Sequence, residues 1–102
     1  MKEFKGSKGP WSSHSDEESM ATSVVMNELG DILCAVGTYM TSTEEDYANA
    51  RLIAAAPDLL DALQEMTAIV KKNSYPQPDK PSSNYARAEW AESVISKALG
   101  EE

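Results

Sequence analysis

The positions of four of the five prolines most constrain how this chain of 102 residues can fold. Proline lacks an amide hydrogen and disfavours helical angles in the residue before it, so a helix must break or kink at Pro57. Pro57 also suits the first turn of a following helix, where its missing hydrogen bond is not needed. Three further prolines fall within residues 73–83 and predict a loop there. The chain should therefore carry one helix before Pro57, a second up to the loop and a third beyond it.

Capping residues and apolar spacing define the first two helices. Ser42 and Glu45 fit a capping box, which predicts a first helix over about residues 43–56. The second helix, over about residues 57–72, has apolar side chains three and four positions apart, and these predict a stripe that faces the core. The residues of that stripe are Leu59, Leu60, Leu63, Met66, Ile69 and Val70.

The third helix is predicted over about residues 83–99. Ser82 or Ser83 can cap its first turn, and Gly100 is a natural stop after its last. Its apolar side chains, the two large aromatic ones included, are expected to lie mostly in the core. They are Tyr85, Ala86, Trp90, Ala91, Val94, Ile95, Ala98 and Leu99.

Residues 22–40 predict a β-hairpin that precedes the helices. Two β-prone apolar runs flank a short polar stretch in which Gly30 permits a tight reversal. The second run is apolar at nearly every position, which suggests burial on both of its faces over part of its length. The sequence thus predicts an α+β fold, in which a two-stranded hairpin and three helices form a single domain over residues 22–102. Two strands alone are marginal in water, so the hairpin should pack on the helices or extend its sheet across a partner, which favours a homodimer.

Residues 1–21 have low hydrophobicity and are predicted to be a flexible arm. Trp11 is the exception, because an isolated tryptophan in a polar segment usually docks on a core. No apolar stretch follows the charged first residues, so we expect no secretion signal, and no apolar run approaches the ~20 residues of a membrane span.

Charge and cysteine content narrow the function classes. Seventeen acids against nine bases give a net charge of -8, which repels phosphate and argues against direct nucleic-acid binding. That charge suits a partner with a basic surface, although solubility alone is the plainer explanation. One cysteine, Cys34, and one histidine, His14, cannot form a disulfide framework or a zinc site, so we expect a cytoplasmic protein without a cofactor.

The residue types of a hydrolase triad occur together only in Ser12, Ser13, His14, Ser15 and Asp16. A triad needs rigid, separated elements, so a solvated segment is the stronger interpretation and the chain is not expected to be an enzyme. The remaining candidates are for partner binding. They are two aromatic residues, because tyrosine and tryptophan dominate interface hot spots, and the acids of the second helix: Trp11, Tyr75, Asp58, Asp61 and Glu65. If the acids at 16–18, 44–46 and 58–65 share a face, they would present a negative surface.

The segment from Ala48 to Leu63, Ala-Asn-Ala-Arg-Leu-Ile-Ala-Ala-Ala-Pro-Asp-Leu-Leu-Asp-Ala-Leu, resembles a block found in short accessory proteins of enterobacterial tailed phages and prophages. In those proteins a Gly-Pro-Trp triplet and a β-hairpin come first, and Gly9-Pro10-Trp11 stands in that place here. The resemblance implies a phage gene product made in the bacterial cytoplasm. It carries over no functional residue.

Three classes of function remain for such a chain. The first is a non-catalytic binding protein that inhibits a host defence or regulatory protein, with an acidic nucleic-acid mimic as a variant. The second is an oligomer that sequesters a small molecule or nucleotide. This class ranks lower because neither Arg51 nor Arg87 begins a helix, where a phosphate would bind. The third, an enzyme, is nearly excluded.

Overall fold

A computed structural model of the chain describes residues 3–15, 21–37 and 41–101. Within these ranges three strands precede three helices: β1 (Ser12–Ser15), β2 (Ser23–Met26), β3 (Ile32–Val36), α1 (Thr43–Ala54), α2 (Ala56–Lys72) and α3 (Asn84–Ala98). The α+β class and the three helices agree with the prediction. The predicted two-stranded hairpin is wrong in its strand number, because a third strand precedes it.

The additional strand, β1, lies within the segment predicted as an N-terminal arm. It pairs antiparallel with β2, so that Ser12 is opposite Met26 and Ser15 is opposite Ser23. The Ser23 hydroxyl donates a further hydrogen bond of 2.8 Å to the carbonyl oxygen of His14. The sequence of β1, Ser-Ser-His-Ser, has no apolar alternation, so only its backbone pairing with β2 makes it a strand.

The hairpin of β2 and β3 reverses where Gly30 predicts it. The Asn27 side-chain oxygen accepts hydrogen bonds from the amides of Leu29 and Asp31, at 3.0 and 2.9 Å. Gly30 has a φ of 85°, in the left-handed region that glycine adopts most readily. This local hydrogen bonding closes the turn without help from distant residues.

Burial within the sheet is the reverse of the prediction, since the strand buried on both faces is β2 and not β3. Val24 and Val25 point to opposite faces, and at most 1% of either is exposed. β3 holds only exposed and half-buried residues, with Ile32 on the surface. The strand order β1-β2-β3 explains the difference, because the middle strand has a neighbour on each side and β3 lies at an edge.

Helix α1 begins with the predicted capping box and packs against all three strands. The Glu45 amide donates to the Ser42 hydroxyl at 3.2 Å, and the Glu45 carboxylate accepts from the Ser42 amide at 3.4 Å. One turn into the helix Asp46 is buried, and its two oxygens accept hydrogen bonds from the Thr22 and Thr41 hydroxyls. These bonds fasten α1 to the residues just before β2 and before its own cap.

Helix α3 begins after Ser83, whose hydroxyl accepts a hydrogen bond of 3.2 Å from the Ala86 amide. The prediction that Trp90 lies in the core is wrong, since 71% of this residue is exposed. The core side of α3 consists instead of Ala88, Ala91 and Ile95, and the C-cap residue Leu99 is buried next to them in sequence. Trp90 follows Ala88 by two positions, about 200° around the helix, and therefore projects from the opposite side.

Two compact units make up the chain. One is Ser7–Leu59, which contains the sheet and α1, and the other combines Met1–Gly6 with Leu60–Glu102, which contains most of α2 and all of α3. Among the described residues, no helix is both long and apolar enough to cross a membrane.

Candidate functional surfaces

The acids of α2 all lie at the surface. Asp61 and Glu65 are four positions apart and so are neighbours along one side of the helix, and Asp58 is exposed one turn earlier. Asp61 and Glu65 carry no ion pair among those found in the described residues. The exposed side of α2 therefore presents unneutralised negative charge.

Beside these acids α2 exposes three large apolar side chains, Leu59, Met66 and Ile69, to 52%, 58% and 55%. The prediction that they face the core is wrong. Ile69 lies nine positions from the half-buried Leu60, about 180° around the helix, so one core cannot cover both. We define the α2 outer face as Asp61, Glu65, Met66 and Ile69.

Helix α3 has an outer face of the opposite charge. Its exposed side carries Trp90 and Val94, with Arg87 one turn before and Lys97 one turn after them. The spacing of three, four and three positions keeps all four side chains on one side of the helix. We define the α3 outer face as Arg87, Trp90, Val94 and Lys97. It is basic and aromatic in a protein whose net charge is -8.

The sequence-based prediction did not identify the exposed apolar residues of α2 or those of α3, although the sequence contains one signal for each helix. The apolar residues of α2 spread over about half of the helix circumference, which is wider than a single buried stripe requires. On α3 the alanines at 88 and 91 share a side with Ile95, and small residues of this kind permit close helix packing. A narrower stripe centred on these alanines would have placed Trp90 outside the core.

The two predicted aromatic anchors differ in exposure. Tyr75, in the loop after α2, is 69% exposed and open to a partner. Trp11 is half-buried, and its indole N–H donates a hydrogen bond of 3.1 Å to the Ser7 carbonyl oxygen. Trp11 belongs to the Ser7–Leu59 unit, whereas Tyr75 and the α2 outer face belong to the other. A role in binding stays a prediction for both aromatic residues, and for the acids.

Helices α2 and α3 are joined by the side chain of Lys71. Its ammonium group lies 2.6 Å from a Glu92 oxygen and 5.3 Å from the centre of the Tyr85 ring. The hydrogen bond to Glu92 raises the pKa of Lys71 above its ordinary value; desolvation opposes this change, and the negative charge of Glu92 reinforces it. Lys71 therefore contributes to the packing of α2 against α3, whereas the bases of the α3 outer face are exposed.

A groove of about 430 Å³ lies in the Ser7–Leu59 unit, between β3 and α1. Its lining is largely apolar, with Cys34, Val36, Leu52 and Ile53 among the residues that contribute. The buried Asp46 also borders it, but both carboxylate oxygens already accept hydrogen bonds from threonines. Asn49 adds a polar side chain to this lining, while the Asp46 carboxylate is already engaged by the two threonines.

One pair of side chains has the distance that nucleophilic catalysis requires. The Ser12 hydroxyl lies 2.7 Å from His14 Nε2, on the exposed edge strand β1. Serine and histidine two positions apart in a strand share a face, which accounts for the contact. A working triad also needs a group that orients the histidine. Asp16, its sequence neighbour, lies outside the described residues, as do the other acids of the run Asp16–Glu18.

No group of three or more histidines, cysteines, aspartates or glutamates that could hold a metal ion occurs in the described ranges. The acids at 44–46 do not form an exposed negative run, because Asp46 is buried and bonded to threonines while Glu44 and Glu45 are exposed. Metal binding through α1 therefore has no support from the arrangement of its acids.

Comparison with known families identifies the origin of this architecture. The family model described as Salmonella phage P22 protein Y8K6 matches residues 1–102. The chain belongs to this family. The phage origin that the Ala48–Leu63 block indicates is thereby confirmed at the level of the family. Neither a curated protein nor a solved structure matches this member of the Y8K6 family.

Proposed function

We propose that this Y8K6 family member is a phage accessory protein that acts without catalysis, by binding a host protein with a basic surface in the bacterial cytoplasm. The observation that carries the proposal is the α2 outer face. Two acids adjoin two exposed apolar side chains there, all on one helix. Helices of this kind dock by burying the apolar side chains while their charges select and orient the partner.

The apolar part of the face can supply affinity. Burying a fully exposed Met or Ile side chain is worth roughly 1.5–3 kcal/mol. Because a little over half of Met66 and of Ile69 is exposed, the two together can contribute about that much. Isolated exposed apolar residues are normal on proteins, but here Met66 and Ile69 are three positions apart and share a side of the helix. A partner groove that accepts both would remove them from water together.

The acids supply selectivity and speed of association. A protein of net charge -8 attracts basic surfaces over a distance set by the ionic strength, about 10 Å at 0.1 M salt. Asp61 and Glu65 add the local contribution at the anchor itself. Inhibition of a host defence or regulatory protein is the form of binding that best suits a small, acidic phage protein.

Affinity capture from a Salmonella lysate, with the tagged chain as bait, tests the proposal. The variant Asp61→Lys with Glu65→Lys reverses the acids of the face, while Glu28→Lys with Asp79→Lys reverses two exposed acids elsewhere and changes net charge by the same amount. We expect a protein retained by the wild type and by the control pair but lost with the α2 pair. Equal retention by all three baits would contradict the proposed surface.

Salt dependence of the association rate provides a second measurement once the retained protein is purified. Between ~50 and ~500 mM salt the Debye length falls about threefold, and the association rate should fall with it. The α2 pair of reversals should weaken that dependence more than the control pair does. An association rate that changes with neither salt nor the charge reversals would indicate that the acids contribute to solubility alone.

A further inference from the structure

We infer that a second copy of this chain docks its α3 outer face on the α2 outer face, and that the exchange is reciprocal, so that the copies form a symmetric dimer. The inference goes beyond host binding and does not require it. It starts from the contrast between the two faces: α2 offers negative charge beside Met66 and Ile69, and α3 offers positive charge around Trp90 and Val94.

The two faces match in length as well as in charge. Residues 61–69 of α2 span about 12 Å and residues 87–97 of α3 about 15 Å, at 1.5 Å per residue. In each face apolar side chains can meet apolar ones while acids lie within reach of a base. Both faces belong to the unit Leu60–Glu102, so each copy carries the donor and the acceptor surface on one compact body.

Among the side chains of the two outer faces, Trp90 is the strongest candidate for an interface anchor. With 71% of its surface exposed, it is more exposed than Val94, the other large apolar residue of this face, at 40%. Tryptophan is enriched at interface hot spots, where its removal commonly costs the most affinity. Lys97 and Arg87 flank it and face away from Lys71, the base that already pairs with Glu92. The α3 outer face is thus equipped for binding an acidic, apolar surface, and the α2 outer face of another copy is such a surface.

Reciprocal docking explains why one small chain carries two complementary faces. If α3 of each copy meets α2 of the other, a twofold axis closes the assembly and all four faces are covered. A host partner of the α2 outer face would then compete with the second copy. Self-association would consequently reduce the amount of chain free to bind a host protein, without changing the intrinsic affinity.

A charge exchange between two variants tests this docking directly. In the first variant Asp61→Lys and Glu65→Lys make both outer faces basic, and in the second Arg87→Glu and Lys97→Glu make both acidic. All four positions are exposed, so folding should be preserved, and circular dichroism checks it. Sedimentation equilibrium at about 100 μM then measures the mass of each variant alone and of their equimolar mixture, using purified proteins only.

The wild type should sediment at twice the monomer mass of 11.1 kDa. Each variant alone should sediment as a monomer, because its two faces repel, while the mixture should recover the dimer mass, because each repulsion becomes an attraction. Trp90→Ala should likewise yield a monomer. The matched controls Glu28→Lys with Asp79→Lys, and Lys5→Glu with Lys80→Glu, change net charge equally on other exposed residues and should remain dimers.

A monomeric wild type at this concentration would overturn the inference, and so would folded variants that remain dimers or a mixture that stays monomeric. Masses that grow beyond the dimer with concentration would overturn the twofold closure. None of these outcomes affects capture of a host protein by the monomer, so failure of the dimer and failure of the proposed function are separately visible.

Discussion

Strand β2 and helix α3 select residues for burial in different ways. β2 buries Ser23, Val24 and Val25 one after another, including a serine whose hydroxyl is bonded to the neighbouring strand. α3 buries two alanines and Ile95, and leaves its only tryptophan in solvent. The contrast shows that the surroundings of a backbone position can override the usual effect of side-chain size and polarity on burial.

The largest expected effect is at Ile95, which is completely buried in α3. Ile95→Ala should lower the free energy of unfolding by roughly 2–5 kcal/mol, as loss of buried methyl groups does. Val94→Ala, at the adjacent exposed position, should cost less than about 1 kcal/mol. Urea denaturation at low protein concentration measures both. Equal losses would mean that α3 buries the side of the helix that the sequence stripe predicts.

A pair of glycines in the sheet unit should give the next effect. Gly37 and Gly30 both have positive φ, but a Cβ on Gly37 would lie 2.8 Å from the Thr22 amide nitrogen, whereas one on Gly30 would meet open space. Gly37→Ala should therefore destabilise by roughly 1–3 kcal/mol more than Gly30→Ala, the usual cost of overpacking. Thermal melts of the two variants compare them. A larger loss at Gly30 would place the crowding at the hairpin turn instead.

Removing the helix caps should have similar, smaller effects in the two regions. Ser42 caps α1 and Ser83 caps α3, each by accepting a backbone amide at 3.2 Å. Ser42→Ala and Ser83→Ala should each cost about 1 kcal/mol, since one amide loses its partner. Chemical denaturation determines the losses. Ser82→Ala, at the exposed position just before the α3 cap, is the control and should be close to neutral.

The smallest effect concerns Lys71 and alkaline pH. Because Glu92 raises the pKa of Lys71 in the folded chain, the pair stabilises the fold fully below the ordinary lysine pKa of about 10.5. The contribution disappears as pH rises through the folded pKa. The melting temperature of the wild type should therefore approach that of Glu92→Gln as pH rises from about 9 to 12. A constant difference between the two curves would indicate that Glu92 acts through packing.

Part of the candidate surface could be predicted and part could not. The exposed acids of α2 follow from their spacing, because charged residues on one side of a helix seldom enter a core. Met66, Ile69 and Trp90 could not be assigned to the surface in this way, since an apolar residue at helical spacing fits a core equally well. The wide apolar spread on α2 and the alanines of α3 are sequence signals for this exposure, and the packed structure shows which side of each helix is covered.

The sequence by itself determined the elements that depend on neighbouring residues. Pro57 separates α1 from α2, Ser42 with Glu45 begins α1, and Gly30 closes the hairpin, because each acts through hydrogen bonds or angles a few residues away. The tertiary structure alone decided that the polar segment Ser12–Ser15 is a strand, that β2 and not β3 is buried, and that Trp90 is exposed. These outcomes depend on contacts between segments that are distant in the chain. The local pattern of side chains does not show which segments will come into contact.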